Sequence, residues 1–203
     1  PPFVITPDSV RASGSGLLEY RDGGMERDNL IAEVISRAPS HLTPGGTLQM
    51  LANWEIPVGT DPDTGWSVRV EEWLAGLDVD AWVVQRDVLD PARYVEMWLR
   101  DSGGGLMDRE EWETEYSARL EDFDRAGVGA IGMGFVALRR PPSSLPVPPT
   151  PVHVFDEELG GRTPRGVDVA RALGSQRLPA TLPDLRLRRA PDVTEERHYV
   201  PGE

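Results

Sequence analysis

Three residues at the start of the sequence, Pro1, Pro2 and Phe3, combine features that suit a binding site for a planar polar group. Proline has no backbone N–H, so the two prolines offer only carbonyl acceptors on a rigid stretch of chain. The ring of Phe3 adds a flat face on which a planar amide or base amine can stack. The same residues also fit a proline-rich terminus that has no site, and their pattern alone does not separate the two interpretations.

A second pattern, Gly127–Gly132, matches the G-x-G-x-x-G fingerprint of dinucleotide-binding proteins. That fingerprint requires a strand before the glycines and a helix after them. Here a helical pattern comes first and a β-rich run follows, so the order is reversed. We therefore expect these glycines to lie in a strand, at places where another part of the chain packs closely.

A third pattern places Asp61, Asp63 and Glu72 at positions 1, 3 and 12 of a possible calcium loop. Position 6 of such a loop requires glycine for its sharp turn, and this sequence has Trp66 there. An acidic loop that leads into a helix is the preferred interpretation. The histidines also lack metal-ligand spacing, and we expect no metal site. They are His41, His153 and His198.

The composition narrows the possible chemistry further. The 203 residues include no cysteine, which excludes disulfides, thiolate zinc sites, iron–sulfur clusters and a cysteine nucleophile. With 34 acidic and 21 basic residues the formal net charge is -13, and an acidic surface repels the phosphates of nucleic acids. No run approaches the roughly 18 apolar residues of a membrane span, so we expect a cytoplasmic protein with no membrane partner.

Hydrophobic periodicity and turn residues predict alternating helices and strands in residues 1–140. The pair Asp90-Pro91 is typical of a helix start, with Asp90 as the N-cap and Pro91 as the first helical residue. This order of elements predicts an α/β layered domain. The predicted helices span about 26–38, 68–77, 109–125 and a segment that begins at 91, and the predicted strands span about 47–53, 81–85 and 130–138.

A proline-rich linker is predicted at 141–151, where six residues are proline. Residues 152–203 are expected to form a small α+β C-terminal module, with a strand near 152–155 and a helix near 166–173. The alternation in Leu185–Arg188 is typical of an edge strand. The predicted organisation is therefore a domain at 1–140, a linker and a separate small module.

Further motifs follow Pro1-Pro2-Phe3 in a fixed order. Tyr20-Arg21-Asp22-Gly23-Gly24 precedes a predicted helix, and Leu42-Thr43-Pro44-Gly45-Gly46 leads into a predicted strand. In this order the motifs resemble class I S-adenosylmethionine-dependent methyltransferases with an Asn-Pro-Pro-aromatic (NPPF) motif. The likeness is greatest to the protein-glutamine and the rRNA or tRNA base-amine N-methyltransferases, and it is strongest over residues 1–55.

The resemblance implies that residues 1–140 form the C-terminal half of a Rossmann-like methyltransferase sheet, in which 130–138 is the final, antiparallel strand. The asparagine of the motif would precede Pro1, and the acidic-Gly-x-Gly loop that binds S-adenosylmethionine would lie further upstream. We therefore expect residues outside this sequence to bind most of the cofactor. We also expect the chain to be inactive without the missing N-terminal half of the same protein.

The implied reaction is methyl transfer to a planar amide or exocyclic amine nitrogen of a protein, RNA or DNA substrate, and positioning of the acceptor is its main requirement. The two glycines of the YRDGG motif either line the entrance or form a turn before the helix. The tryptophans at positions 54 and 66 either touch the target or fill the core. The implied catalytic residues are Pro1, Pro2 and Phe3, and the implied substrate-binding residues are Tyr20, Gly23, Gly24, Asn53 and Trp54.

Two other interpretations fit the same sequence. The first is a non-catalytic methyltransferase-like subunit that binds a protein partner through its acidic face, motivated by the net charge of -13. The second is an α/β domain whose resemblance to methyltransferases is accidental. The first would be favoured if the upstream sequence lacked an acidic-Gly-x-Gly loop, and the second if a parallel central sheet were absent.

Overall fold

The computed structural model describes residues 4–7, 24–61, 63–101, 105, 107–143, 151–157 and 165–175, together with 186 and 188. Within these residues the chain forms an open four-stranded sheet that is covered by helices on both faces, and the predicted α/β class is confirmed. The strands are β1 (Thr47–Pro57), β2 (Asp80–Leu89), β3 (Val128–Arg139) and β4 (His153–Glu157), and the helices are α1 (Asn29–His41), α2 (Val68–Leu74), α3 (Pro91–Asp101), α4 (Arg109–Arg125) and α5 (Gly166–Ser175).

The order of the strands in the sheet is β1-β3-β2-β4. β3 pairs with both β1 and β2 in the antiparallel sense, so β1 and β2 run in the same direction on either side of it. Their carboxyl ends, at Pro57 and Leu89, lie at the same edge of the sheet, beside the start of β3 at Val128. We call this the carboxyl edge. The strand predicted at 130–138 is thus the antiparallel strand of the sheet.

Alternation of side chains along the strands divides the core between the two faces of the sheet. The first face carries Trp54 of β1 and Val136 of β3, which pack with buried residues of α1 and α2. The second face carries Ile131, which packs with α3 and α4, and Ala137, which packs with α5. Each helix therefore buries one stripe against the sheet, as an amphipathic helix does.

The helix ends follow from local signals. The N-cap role predicted for Asp90 is confirmed, because its Oδ1 accepts the N–H of Arg93 at 2.9 Å. α4 has the predicted bounds, and a capping box between Asp108 and Glu111 fixes its first turn. α2 ends three residues earlier than predicted, because Gly76 adopts a left-handed φ of 76° and turns the chain.

The three long strands extend beyond their predicted bounds. Their added residues pair across the sheet with a distant segment, even where the local pattern is polar or irregular. β2 contains a register shift between Gln85 and Asp87, which breaks the alternation that sequence reading depends on. Pairing with neighbouring strands, and not local pattern alone, therefore sets the strand ends.

The glycines of Gly127–Gly132 lie in a turn and in β3. Gly127 has a left-handed φ of 68° in the turn between α4 and β3. A Cβ atom at Gly129 would lie 3.0 Å from Cα of Val58, and one at Gly132 would lie 2.2 Å from Nε1 of Trp54. The prediction that this run marks close packing in a strand is confirmed.

The acidic loop at 61–65 makes contacts within itself. The Asp61 carboxylate accepts the N–H of Asp63 at 2.9 Å, and this backbone hydrogen bond lowers the pKa of Asp61.

Among the described residues, no group of three or more His, Asp or Glu side chains is placed to hold a metal ion. The same part of the chain contains no helix that is long and apolar enough to cross a membrane.

The C-terminal elements belong to the same sheet as the rest. β4 pairs in parallel with β2, and Val169 and Leu173 of α5 pack on Ala137 of β3. In the described part of the chain, β4 thus extends the sheet and α5 covers it, while the division into a domain at 1–140, a linker at 141–151 and a module at 152–203 stays a prediction. The edge strand predicted at Leu185–Arg188 lies outside the described residues except for positions 186 and 188.

Candidate functional site

The residues implied by the resemblance divide into two groups in the structure. Pro1, Pro2, Phe3, Tyr20 and Gly23 lie outside the described residues, and their catalytic and substrate-binding roles stay predictions. The structure does describe Gly24, Asn53 and Trp54, and the short segment that follows the motif, residues 4–7. That segment shows where the chain runs after Phe3.

Residues 4–7 lie against the second face at the carboxyl edge. Ile5 is buried and packs in one cluster with Tyr94 of α3 and Val128 at the start of β3. Its backbone N–H donates a hydrogen bond to the Tyr94 hydroxyl at 2.9 Å. The next residue, Thr6, forms an isolated antiparallel bridge with Arg27. The segment is therefore fixed at two successive residues.

The Tyr94 hydroxyl is also bound from the sheet. The side-chain amide of Asn53, in β1, donates to the same oxygen at 2.9 Å. Both side chains are buried, and burial raises the pKa of Tyr94 above its ordinary value. The phenol therefore stays neutral near pH 7, and its oxygen accepts two hydrogen bonds. The Tyr94 ring makes edge contacts with Trp98 and Phe123, at centroid distances of 6.1 and 6.0 Å.

Beside this contact lies a group of four charged residues, which we call the charge cluster: Arg27, Asp28, Glu55 and Arg69. The Nε of Arg27 donates a hydrogen bond to Oε2 of Glu55 at 3.0 Å, and a terminal guanidinium nitrogen lies 2.7 Å from Oε1 as an ion pair. Asp28 accepts hydrogen bonds from Arg69 and, at 3.1 Å, from the backbone N–H of Glu55. The cluster thus joins the start of α1, β1 and α2 through paired charges.

Burial changes the acidity of one carboxyl in the charge cluster. Glu55 is buried in β1, and this burial raises the pKa of its carboxyl, although the hydrogen bond from Arg27 acts in the opposite direction.

Arg27 has a left-handed φ of 55°, which is unfavourable for a residue with a side chain. Its guanidinium also lies 5.4 Å from the centre of the Phe123 ring. Side-chain contacts on two sides thus hold a strained backbone position.

Asn53 and Trp54 point to opposite faces of β1, as neighbours in a strand do. Asn53 binds Tyr94 on the second face, whereas Trp54 is fully buried on the first face, where its ring lies 5.6 Å from that of Trp66. The structure therefore does not bring the two side chains to one common surface. Their proposed contact with a substrate stays a prediction.

Gly24 is exposed and has a left-handed φ of 75°. A Cβ atom at this position would meet no other atom within 4 Å, so the glycine is required by its backbone conformation and not by close packing. This geometry favours the alternative that the YRDGG motif forms a turn before a helix. A role at a site entrance is an additional possibility that the geometry does not require.

Sequence reasoning missed Tyr94 and the charge cluster. Asn53, Trp54 and Glu55 are consecutive in the sequence, but nothing in it indicates that the acid is buried beside an arginine. Tyr94 follows the predicted start of α3 by three residues, and its helical position relative to Val95 and Trp98 predicts burial. The hydrogen-bond partners in β1 and at residue 5 are too distant in sequence to be inferred.

The arrangement positions the chain and does not itself offer a reactive group. Among the described residues at the carboxyl edge, the acid Glu55 is bound by Arg27 and the phenol of Tyr94 is neutral and buried. Neither is placed on an open surface as a base or a nucleophile. What the described residues can do is hold the segment that follows Phe3 at a defined place.

Comparisons with known proteins give little further information. No protein-family model matches this chain, and no curated protein matches it. One solved structure with some similarity is phosphoethanolamine N-methyltransferase 2 of Haemonchus contortus, in complex with phosphomonomethylethanolamine and S-adenosylhomocysteine. The sequence identity is 12%, the TM-score is 0.28, and the match covers 57% of this chain and 32% of that one. A similarity this low supports no conclusion about this chain, which spans about a third of that protein.

Proposed function

We propose that this chain is the C-terminal portion of a class I S-adenosylmethionine-dependent N-methyltransferase. Its substrate would be a planar amide or exocyclic amine nitrogen of a protein or a nucleic acid. The proposal depends on the order of the PPF, YRDGG and LTPGG motifs in the sequence. The observation that supports it best is the position of residues 4–7, which follow PPF and lie at the carboxyl edge of the sheet. Open α/β sheets bind their ligands at this edge.

The strand topology supports the same proposal. The resemblance implies a final strand that is antiparallel to its neighbours, and β3 has this orientation between β1 and β2. An accidental resemblance would be favoured by the absence of a parallel central sheet. In the described part of the chain the one parallel pairing is that of β2 with β4. Whether the central sheet is parallel therefore has to be tested on a longer protein that includes the strands of the proposed preceding half.

The described residues do not by themselves fit S-adenosylmethionine. Near the carboxyl edge, Glu55 of β1 is already bound by Arg27, and Asp90, which directly follows β2, caps the first turn of α3. The glycine-rich run 127–132 lies in a turn and a strand and forms no loop before a helix. We therefore propose that a preceding segment of the same protein binds most of the cofactor, while this chain contributes the acceptor side of the site.

In this proposal the motif residues hold the acceptor nitrogen. The side chain of the motif's asparagine, which would precede Pro1, and a proline carbonyl orient the acceptor nitrogen, and the ring of Phe3 stacks on the face of the target. An uncharged, correctly oriented nitrogen needs little more than positioning to react with a methyl donor. When bound, S-adenosylmethionine would supply the methyl group: the N–C bond would form as the sulfonium S–C bond breaks, the thioether would leave, and the nitrogen would lose one proton to solvent.

The experiment uses the full-length protein that includes the proposed preceding segment. Calorimetry measures binding of S-adenosylmethionine, and radiolabelled cofactor measures methyl transfer to protein and RNA fractions of a lysate. Phe3→Ala should lower turnover much more than cofactor affinity, and Phe3→Tyr, which keeps the aromatic face, should retain turnover. Absence of any cofactor binding would remove the enzyme proposal, and equal loss of binding and turnover in Phe3→Ala would make Phe3 a structural residue.

A second candidate is a non-catalytic subunit that binds a protein partner through an acidic face. One observation favours it: α4 carries exposed acids along its length, including Glu110, Glu113 and Glu121, within a chain of net charge -13. The sequence of the preceding segment distinguishes this candidate from the methyltransferase proposal. If that segment has no acidic-Gly-x-Gly loop and the protein binds no S-adenosylmethionine, this candidate replaces the first.

A further inference from the structure

The segment that follows Phe3 is held by groups that are themselves fixed. Ile5 is 2% exposed, and its N–H is bound by the Tyr94 hydroxyl at 2.9 Å. A buried amide that lost this acceptor would be left without a partner, which is unfavourable in an apolar environment. The contact therefore favours one position of the chain at Ile5 over others.

Tyr94 is also oriented by contacts that do not involve the segment 4–7. Its ring packs between Phe123 of α4 and Trp98 of α3, and its hydroxyl accepts from the Asn53 amide of β1. Three elements of the sheet and helices thus set the position of one oxygen atom. Because the oxygen is fixed in this way, it provides a preformed docking point for the Ile5 N–H.

The distance along the chain links this point to the motif. Ile5 is two residues from Phe3, and two extended residues span at most about 7 Å. A displacement of Ile5 therefore reaches the motif through only two residues. The Thr6 bridge to Arg27 restricts the segment on the other side of Ile5.

We propose that Tyr94, oriented by Asn53, is a positioning residue for methyl transfer, which acts by fixing Ile5 and the segment 4–7 that follows the Pro1-Pro2-Phe3 motif. This inference rests on the proposed methyltransferase function. Tyr94 does not touch the reacting atoms and acts through the backbone of Ile5. Loss of its hydroxyl should therefore lower kcat and leave binding of the cofactor nearly unchanged.

The test is Tyr94→Phe in the full-length protein, with Tyr116→Phe as the matched control. Tyr116 belongs to the same cluster and stacks on Trp112, so its change removes a hydroxyl at the same face of the protein. Two quantities are measured: amide hydrogen exchange at Ile5 relative to Val136 in β3, and kcat with the dissociation constant of S-adenosylmethionine. Asn53→Ala removes the second hydrogen bond and serves if Tyr94→Phe does not fold.

We expect Tyr94→Phe to accelerate exchange at Ile5 at least tenfold relative to Val136, to lower kcat at least tenfold, and to change the cofactor dissociation constant less than twofold. Tyr116→Phe should change none of these by more than twofold. Equal acceleration at Ile5 and Val136 would show general destabilisation and overturn the proposal, as would faster exchange with unchanged kcat. If the wild type transfers no methyl group, the methyltransferase proposal and this catalytic role both fail, while exchange still decides whether Tyr94 anchors Ile5.

Discussion

The indole of Trp54 lies against the backbone of Gly132, its cross-strand partner. A Cβ atom at Gly132 would be 2.2 Å from Nε1 and 2.5 Å from Cε2 of Trp54. The indole is fully buried and packs on Trp66, so it has no free space into which to move. The largest side chain of β1 therefore fits only because its partner in β3 has none.

The first prediction follows from this contact. Gly132→Ala should lower the free energy of unfolding by about 1–3 kcal/mol, the usual effect of overpacking a core. The Gln85 side chain restricts relief on the other side, because its Oε1 would lie 2.7 Å from the new Cβ. Urea denaturation measures the change. Gly174→Ala in α5 is the control, since a Cβ there meets nothing within 4 Å, and an equal loss in both variants would contradict the prediction.

The Trp54–Gly132 pair also shows which features one sequence can predict. The glycine-rich run predicts close packing in a strand, and the apolar run around 47–53 predicts a buried strand. The partner of each residue is not predictable, because the register between β1 and β3 depends on contacts far apart in the chain. Features set by near neighbours, such as the N-cap at Asp90 and the bounds of α4, are predicted correctly.

The charge cluster shows why the site was only partly predictable. Arg27 is 28 residues from Glu55, and Asp28 is 41 residues from Arg69. A charged residue taken singly predicts exposure, since such side chains are rarely buried unless they are paired. The pairing arises only when α1, α2 and β1 pack together. Sequence reasoning could identify the PPF motif but not the groups that hold the following segment.

The second prediction concerns the pH dependence of stability. Because burial raises the pKa of Glu55 above its ordinary value of 4.5, the folded protein binds this proton more readily than the unfolded chain does. The carboxyl therefore favours folding most below pH 4.5, and this contribution is lost as the pH rises through the raised folded-state pKa. The unfolding free energy of the wild type minus that of Glu55→Gln should accordingly fall as the pH rises from 4.5 through the raised pKa of Glu55.

Denaturation at a series of pH values between about 4.5 and 7 measures this difference, and its slope is the quantity of interest. Loss of the ion pair with Arg27 shifts the unfolding free energy of Glu55→Gln by a similar amount at every pH. The change of the difference with pH, in contrast, reports the titration of Glu55. Glu33→Gln removes the same formal charge from the exposed pair with Arg37 and corrects for the change in net charge. A difference that stays constant or increases with pH would contradict the prediction.

The third prediction concerns Asp28, which is 1% exposed and whose carboxylate accepts hydrogen bonds from two nitrogens of Arg69 and from the backbone N–H of Glu55. Asp28→Ala leaves the backbone N–H of Glu55 without its acceptor and Arg69 without its counter-ion. The loss in unfolding free energy should be about 3 kcal/mol, the lower end for a broken buried pair, because Arg69 keeps part of its hydration. Glu33→Ala breaks an exposed pair with Arg37 and should cost less than about 1 kcal/mol. Similar losses in the two variants would show that burial of Asp28 adds nothing.

The fourth prediction tests whether the C-terminal elements fold with the rest of the sheet. Leu173 of α5 is 1% exposed and packs on Ala137 of β3, so Leu173→Ala should lower the stability of the whole sheet by about 2–5 kcal/mol. Val167, on the same helix, is 53% exposed, and Val167→Ala should change stability by less than about 0.5 kcal/mol. The measurement is amide hydrogen exchange, which follows Val136 in β3 and Val169 in α5 separately. If β4 and α5 belong to one cooperative unit with β1–β3, exchange at both positions accelerates together in Leu173→Ala. Faster exchange at Val169 with unchanged exchange at Val136 would instead show that the C-terminal elements unfold separately, as an independent module at 152–203 would.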